Sequence, residues 1–288
     1  MATAVLIGFT AFPQAPSGSQ IPSPSQPAQN ADQQTESANA LVKATVQNEL
    51  KTIDHTHWMY LSETHKAGAT ETKEIVETPH GNLTRLVAHN GQPLNPDEQK
   101  REDQKVQKFV NDTGAQEKLR HNLDQDEKIA KNLFAMLPDA LTYTYVGREG
   151  NHTKLTFKPN PGFHPPSCEA GVFRAMEGEM VIDTKEHWLV EFSGHLTHPV
   201  KFGGGLLGDL DAGGSFDVRQ QEVGPGHWEI SLLKVNVKGK ALVFRTVSVQ
   251  LDERHRDFKR VPDGLTLAQA GDLAKKLQAS PANLQSGG

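Results

Sequence analysis

Apolar and polar residues alternate along WLVEFSGHL, Trp188 to Leu196, and the alternation then dissolves into the glycine-rich run THPVKFGGGLLGDLDAGGSF. Trp188, Val190, Phe192 and Leu196 interleave with His187, Glu191, Ser193 and His195, the period of a strand with one buried and one wet face. Beyond it Gly203, Gly204, Gly205, Gly208, Gly213 and Gly214 release the backbone, while Phe202, Leu206, Leu207 and Leu210 keep the segment apolar. The pattern predicts a strand, an apolar loop from Lys201 to Gly214, and a second strand beginning at Ser215.

The same reading extends along the chain. Leu41, Val42, Val46, Leu50 and Ile53 recur at helical spacing and predict a helix from Ala38 to Ile53. Strands are predicted at Trp58–Thr64, Glu71–Thr78 and Leu83–His89, the last two joined by a turn at His80-Gly81-Asn82. Asn95 followed by Pro96 opens a charged helix from Pro96 to about Thr113. A second helix is expected from Ala115 to about Met136, with Leu137-Pro138 as its stop. From there strands dominate: Leu141–Arg148, Thr153–Phe157, Val172–Ile182, Trp188–Leu196, Ser215–Glu222, Trp228–Val237 and Ala241–Leu251. Short links between consecutive strands favour sequential pairing, so the expectation is one antiparallel sheet in chain order, joined by the Trp58–His89 strands. The Leu232-Leu233 step breaks the alternation and predicts a bulge there.

The 288 residues suffice for a substantial core, and a net charge of −5 with acids and bases intermixed argues against a nucleic-acid partner. A single cysteine, Cys168, excludes an intramolecular disulfide. Residues Ala4 to Phe12, AVLIGFTAF, fit the apolar core of a secretory signal peptide without its preceding basic residues, and fall far short of the roughly 20 residues of a membrane span. The Pro-, Ser-, Gln- and Ala-rich stretch that follows predicts a disordered linker to about Ala38. The domain reading is therefore a leader and linker over 1–38, a folded domain over 39–260 with a helical insert at 96–137, and a C-terminal helix and tail over 261–288, in an exported protein, periplasmic or secreted.

The strands GVFRAMEGEMVIDTKEHWLVEFSGHL, VKFGGGLLGDLDAGGSFDVRQQEV and WEISLLKVNVKGKALVFRTVSV, preceded by a helix, an early meander and a helical insert, resemble the bacterial periplasmic LolA-like group of outer-membrane lipoprotein-sorting proteins. Glu177 to Asp183 followed by Trp188-Leu189-Val190 carries the strand-turn-strand part of that resemblance. The resemblance covers roughly Leu41 to Leu251. It implies an α+β fold: an antiparallel sheet curled into an open half β-barrel, helices over its concave face, and a cavity that in the sorting proteins receives lipoprotein acyl chains.

Candidate reactive groups are sparse. Among thirteen histidines the closest pairs are His195 with His198 and His55 with His57, neither with a recognisable ligand set beside it. Asp209-x-Asp211-x-Gly213-Gly214 with Asp217 lacks the acid of a calcium loop, since Gln220 stands where a bidentate Glu is required. Gly203 to Gly205 is followed by no Gly-Lys-Ser/Thr. Cys168 and His164 are separated by Pro165 and Pro166 without a third orienting group, and Glu177 with Glu179 fits a solvent-facing strand. Asn82, Asn111 and Asn151 open glycosylation-type triplets that carry little in a chain of bacterial appearance.

The sequence thus predicts a non-catalytic carrier without cofactor or metal, sheltering a lipid-like or other hydrophobic ligand, with a cell-envelope protein as its further partner. The residues expected at the ligand are Phe202, Leu206, Leu207 and Leu210 on a mobile rim, with Trp188 and Phe192 on the inward strand face. The competing reading is a structural or interaction module whose cavity is filled by its own side chains; a secreted hydrolase ranks third.

Overall fold

The computed structural model describes residues 29–51, 56–66, 68–202, 208–241 and 245–278. The expected leader, His55, the Gly203–Leu207 stretch and the last residues of the tail lie outside the described residues. Helix α1 (Gln29–Lys51) leads into β1 (Trp58–Lys66), β2 (Ala69–Val76), β3 (Leu83–His89) and the two-residue β4 (Gln92–Pro93). It begins well before the expected Ala38. The segment QNADQQTESANA holds neither Pro nor Gly, so its low hydrophobicity does not prevent a helix.

Helix α2 (Pro96–Val110) starts with a capping box, Asn95 Oδ1 accepting from Glu98 N at 3.0 Å and Glu98 Oε2 from Asn95 N at 2.9 Å. Asp112 Oδ1 caps α3 (Thr113–Ala140) by accepting from Ala115 N at 2.9 Å. That helix runs past the expected stop, because Pro138 sits in its final turn and the Leu141 N–H still reaches Leu137 O. β5 (Leu141–Glu149) and β6 (His152–Pro159) follow. A short 3-10 helix, Glu169–Arg174, then replaces the start of the strand expected from Val172. Its three-residue repeat buries Ala170 and Phe173 together. The rest is β7 (Met176–Asp183), β8 (Trp188–Leu196), β9 (Val200–Phe202), β10 (Gly208–Leu210), β11 (Ser215–Gly224), β12 (His227–Ala241), β13 (Arg245–Arg260) and α4 (Leu267–Gln278).

Among the described residues the strands form one open, antiparallel sheet of 13 strands in the order β4-β3-β2-β1-β13-β12-β11-β8-β7-β6-β5, with β10 joined to β12 and β9 to β10. The molecule is thus α+β, and the pairing in chain order from β5 to β13 follows the short connections. Two register shifts change which side chains are buried. Opposite Val181 and Ile182 the β8 partners skip from Glu191 to Leu189, so Leu189 is buried while Trp188 and Val190 are only half-buried. This corrects the uniform inward face expected for Trp188, Val190, Phe192 and Leu196. On β12 the partners of Arg219 and Gln220 skip from Leu232 to Ile230, placing a bulge at Ser231, beside the expected break.

Two separate apolar cores hold helices to the sheet. In the first, α1 and α3 pack on β5 to β8 through Val42, Val46, Leu133, Leu137, Tyr143, Leu155 and Met180. In the second, α2 and α4 pack on β1 to β3 through Val106, Ala270, Ala274, Met59, Val76 and Leu83. Directly paired residues share a face of a sheet. The pairs Leu155 with Met180, Met180 with Phe192, Phe192 with Val218, Val218 with Leu233, Leu233 with Glu253, and Glu253 with Thr64 carry the first core's face across to β1. Met59 lies an odd number of residues from Thr64 on a strand in unbroken register with β2, and therefore on the other face. The helices do not share one face, as expected, but lie on opposite faces at opposite ends of the sheet.

Candidate functional site

Between the two helix-bearing ends lie β11, β12 and β13. Phe216 pairs with Val235 and Val235 with Leu251, making an apolar rung across the three strands. Val218 and Leu233 form the next rung on the same face. Phe216, Val235 and Leu251 line a cavity of about 650 Å3, closed on another side by the β1–β2 hairpin tip, where His65, Lys66 and Thr70 stand. Asp217, Lys234 and Asp252 also border the cavity, but they alternate with the rung, so their side chains point to the opposite face of the sheet. Lys234 Nζ lies 3.2 Å from Asp252 Oδ2, and Asp217 pairs with Arg219 at 3.0 Å. His65 is held by Glu63 Oε1 at 2.9 Å and by Thr70 Oγ1 at 3.2 Å.

The residues expected at the ligand stand elsewhere. Phe202 is buried in the first core, and Leu210 and Phe192 pack against it. Phe192 sits between Phe157 and Phe216 with ring centroids 5.0 and 4.9 Å away. Trp188 stacks on Trp228 at 6.4 Å. Leu206 and Leu207 lie outside the described residues. The described parts of the predicted loop are strands: β10 pairs with both β9 and β12, and Gly239 lets Asp209 O come so close that a Cβ there would stand 2.0 Å away. The lining residues were missed because Phe216, Val235 and Leu251 read as ordinary strand interior; their mutual register, which makes them a rung, is not visible in separate segments.

A second concentration of polar groups lies at the seam between β1 and β13. Glu77, Glu229 and Tyr60 are 5%, 7% and 9% exposed. Glu77 Oε2 accepts from the Trp58 N–H at 3.0 Å. The Tyr60 ring lies 4.9 Å from that of His255 and 5.0 Å from that of Phe258. His255 joins Ile230 O through Nδ1 at 3.0 Å and faces Glu253 Oε2 across 3.6 Å. Burial pushes Glu77 up to about 7, with Glu229 adding to the rise and the Trp58 N–H and His255 opposing it. Burial, then Glu77, Glu229 and Glu253, push Tyr60 well above its ordinary value. The adjacent His255 side chain, above all, holds Glu253 below its ordinary value. Sequence reasoning passed over these acids because glutamates on strands read as solvent-facing.

The other candidates are dispersed. Glu179 is paired with Lys154 at 2.8 Å, Glu177 and His164 are exposed, and Cys168 is half-buried. No three His, Cys, Asp or Glu converge as metal ligands among the described residues, nor is any described helix long and apolar enough to cross a membrane. No family profile, no curated protein and no solved structure matches this chain.

Proposed function

We propose that this chain is a non-catalytic, exported binding module of the lipoprotein-sorting kind, which shelters a lipid-like or other hydrophobic ligand against β11, β12 and β13. The cavity lined by the Phe216–Val235–Leu251 rung carries this reading. Its volume of about 650 Å3 falls within the roughly 300–1,000 Å3 of small-molecule sites, where apolar walls supply affinity and a few polar groups supply orientation. The β1–β2 tip shares this cavity with Phe216 although β13 and β12 lie between. On a flat sheet three strand spacings amount to about 14 Å. Their approach favours a sheet curled into an open half-barrel, with the rung on its inner wall. The ligand site in this reading is the sheet centre. Phe202 and Leu210 serve the core instead.

Filling the cavity tests the proposal. Binding of a fluorescent fatty acid is measured for the wild-type chain and for Val235→Trp, together with thermal stability. Val235→Trp should weaken binding at least about tenfold, the loss of roughly 1.4 kcal/mol, while melting stays within a few degrees. Absence of binding by the folded wild type, or equal binding by the two proteins, rejects it.

A further inference from the structure

The two ends of the sheet differ. At one end β4 is two residues long and ends in Pro93, and so short an edge gives another strand little to pair with. At the other, β5 runs nine residues, Leu141–Glu149, and among the described residues only β6 pairs with it. Helix α1 guards the start of that edge, where Asn39 Oδ1 accepts from Tyr143 N at 3.2 Å. From there to the turn at Gly150 and Asn151 the stretch 144–149 is exposed throughout. The exposed large apolar side chains of the described chain, Tyr145 at 37% and Val146 at 56%, both lie in it.

Backbone groups of an edge strand turn alternately toward the neighbouring strand and outward. The Tyr143 N–H, taken by Asn39, marks the outward set, so Tyr145 is the next outward residue. Counting back from the two-residue turn, Glu149 and His152 close the β5–β6 hairpin as a pair bonded to each other, which turns Arg148 outward. The bulge at Val146, between Tyr145 and Gly147, accounts for this spacing.

Antiparallel pairing of the edge with itself then has one register in which both outward residues find partners: Tyr145 opposite Arg148 of a second copy, and Arg148 opposite its Tyr145. The same register sets Thr144 opposite Glu149 and Val146 opposite Gly147, so the exposed stretch pairs from end to end. Tyr143, which α1 occupies, faces only Gly150 of the second copy's turn. No like charges are opposed, whereas sliding the strands until Arg148 met Arg148 would set two cations against each other. A guanidinium opposite a tyrosine ring is an attractive pair. A Cβ on Gly147 would meet nothing within 4 Å, so there is room beside it for Val146 of the second copy.

We propose that the β5 edge is a docking surface for a second copy of this chain, the two β5 strands pairing antiparallel about a two-fold axis between Val146 and Gly147 and continuing the sheet across both copies. A two-fold contact of this kind uses the same edge on each copy and closes on itself. It stands apart from the ligand reading, because β6, β7 and β8 separate β5 from β11 and the cavity.

A contact between two short strands buries less than a standard interface, so sedimentation equilibrium of the full chain is run up to about 100 µM, far enough to read a micromolar Kd. The wild type should dimerise, and Val146→Asp should raise Kd at least about tenfold while melting like the wild type. A monomeric wild type overturns the proposal and leaves the edge to a strand of another protein; a folded Val146→Asp protein that dimerises as well as the wild type overturns it too. The register is read by trapping in a Cys168→Ser background. Tyr145→Cys and Arg148→Cys proteins, mixed and exposed to oxidised glutathione, should cross-link. Each alone should not, because like positions are offset along the strands beyond the roughly 7 Å between Cα atoms that a disulfide can bridge. If Val146→Asp does not fold, the trapping decides: cross-links confined to the mixture support the edge pairing, and any other result rejects it.

Discussion

Gly178 and Gly194 face each other across β7 and β8, and the Phe157 ring lies over both. A Cβ on Gly178 would stand 2.0 Å from Ser193 O, 2.6 Å from Gly194 Cα and 2.8 Å from Phe157 Cζ. Backbone cannot yield as a flexible side chain does, so relief requires the strands to part or the Phe157–Phe192–Phe216 row to shift. Gly178→Ala should therefore cost about 3 kcal/mol, read as a lower urea midpoint; an unchanged midpoint refutes the close packing assigned to this pair. The sequence displays Gly178 within the run Glu177 to Asp183, but not the opposing glycine, because register between separate strands is a long-range property. At Trp188, too, the expected inward position gives way to a half-buried ring stacked on Trp228, since the bulge opposite Val181 changes the phase of β8.

At the scale of elements, most strands could be read from alternation, and the failures have local causes. Bulges shift phase without changing composition. The 3-10 helix before β7 uses residues that also suit a strand, and β9 and β10 were obscured by glycines whose small size permits close backbone approach. Helix α1 shows what periodicity misses: its docking depends on polar side chains that satisfy the backbone of strands and of the β7–β8 turn. Asn39 Oδ1 accepts from Tyr143 N at 3.2 Å, Asn48 Nδ2 donates to Glu186 O and His187 O at 3.2 Å, and Glu49 Oε1 accepts from Leu189 N at 2.7 Å. Gln220 Nε2 donates to Glu49 Oε2 at 3.2 Å. Burial pushes the Glu49 carboxyl up to about 7 against both of these bonds. The folded state thus binds an extra proton between about pH 4.5 and 7, and Glu49's stabilising contribution, complete below that window, disappears as the pH rises through it. Glu49→Gln retains an acceptor for Leu189 N and should flatten this part of the stability–pH profile, whereas Glu49→Ala strands the Leu189 N–H and should cost about 2 kcal/mol. Urea unfolding of the three proteins at pH 5 and 8 checks both statements; a slope in Glu49→Gln equal to wild type removes Glu49 as its source.

For the molecule as a whole, the sequence conveys an antiparallel sheet with helical segments, but not on which side each helix lies. That depends on parity carried through successive registers, from Leu155 on β6 to Thr64 on β1, with Met59 pointing the other way. The resemblance to the sorting proteins implied helices over a single face, whereas the pleat assigns α1 and α3 to one face and α2 and α4 to the other. An energetic consequence follows. Met180 and Leu83 are both buried and belong to separate clusters with no shared members, so truncating each to Ala should cost about 2–5 kcal/mol. If the sheet between them transmits no repacking, the costs should add, with a coupling below about 0.5 kcal/mol. A double-mutant cycle by urea unfolding, run at one pH to hold the seam acids constant, measures that coupling. A value near 2 kcal/mol would mean that the clusters pack as one core, and the placement of the helices on opposite faces would have to be abandoned.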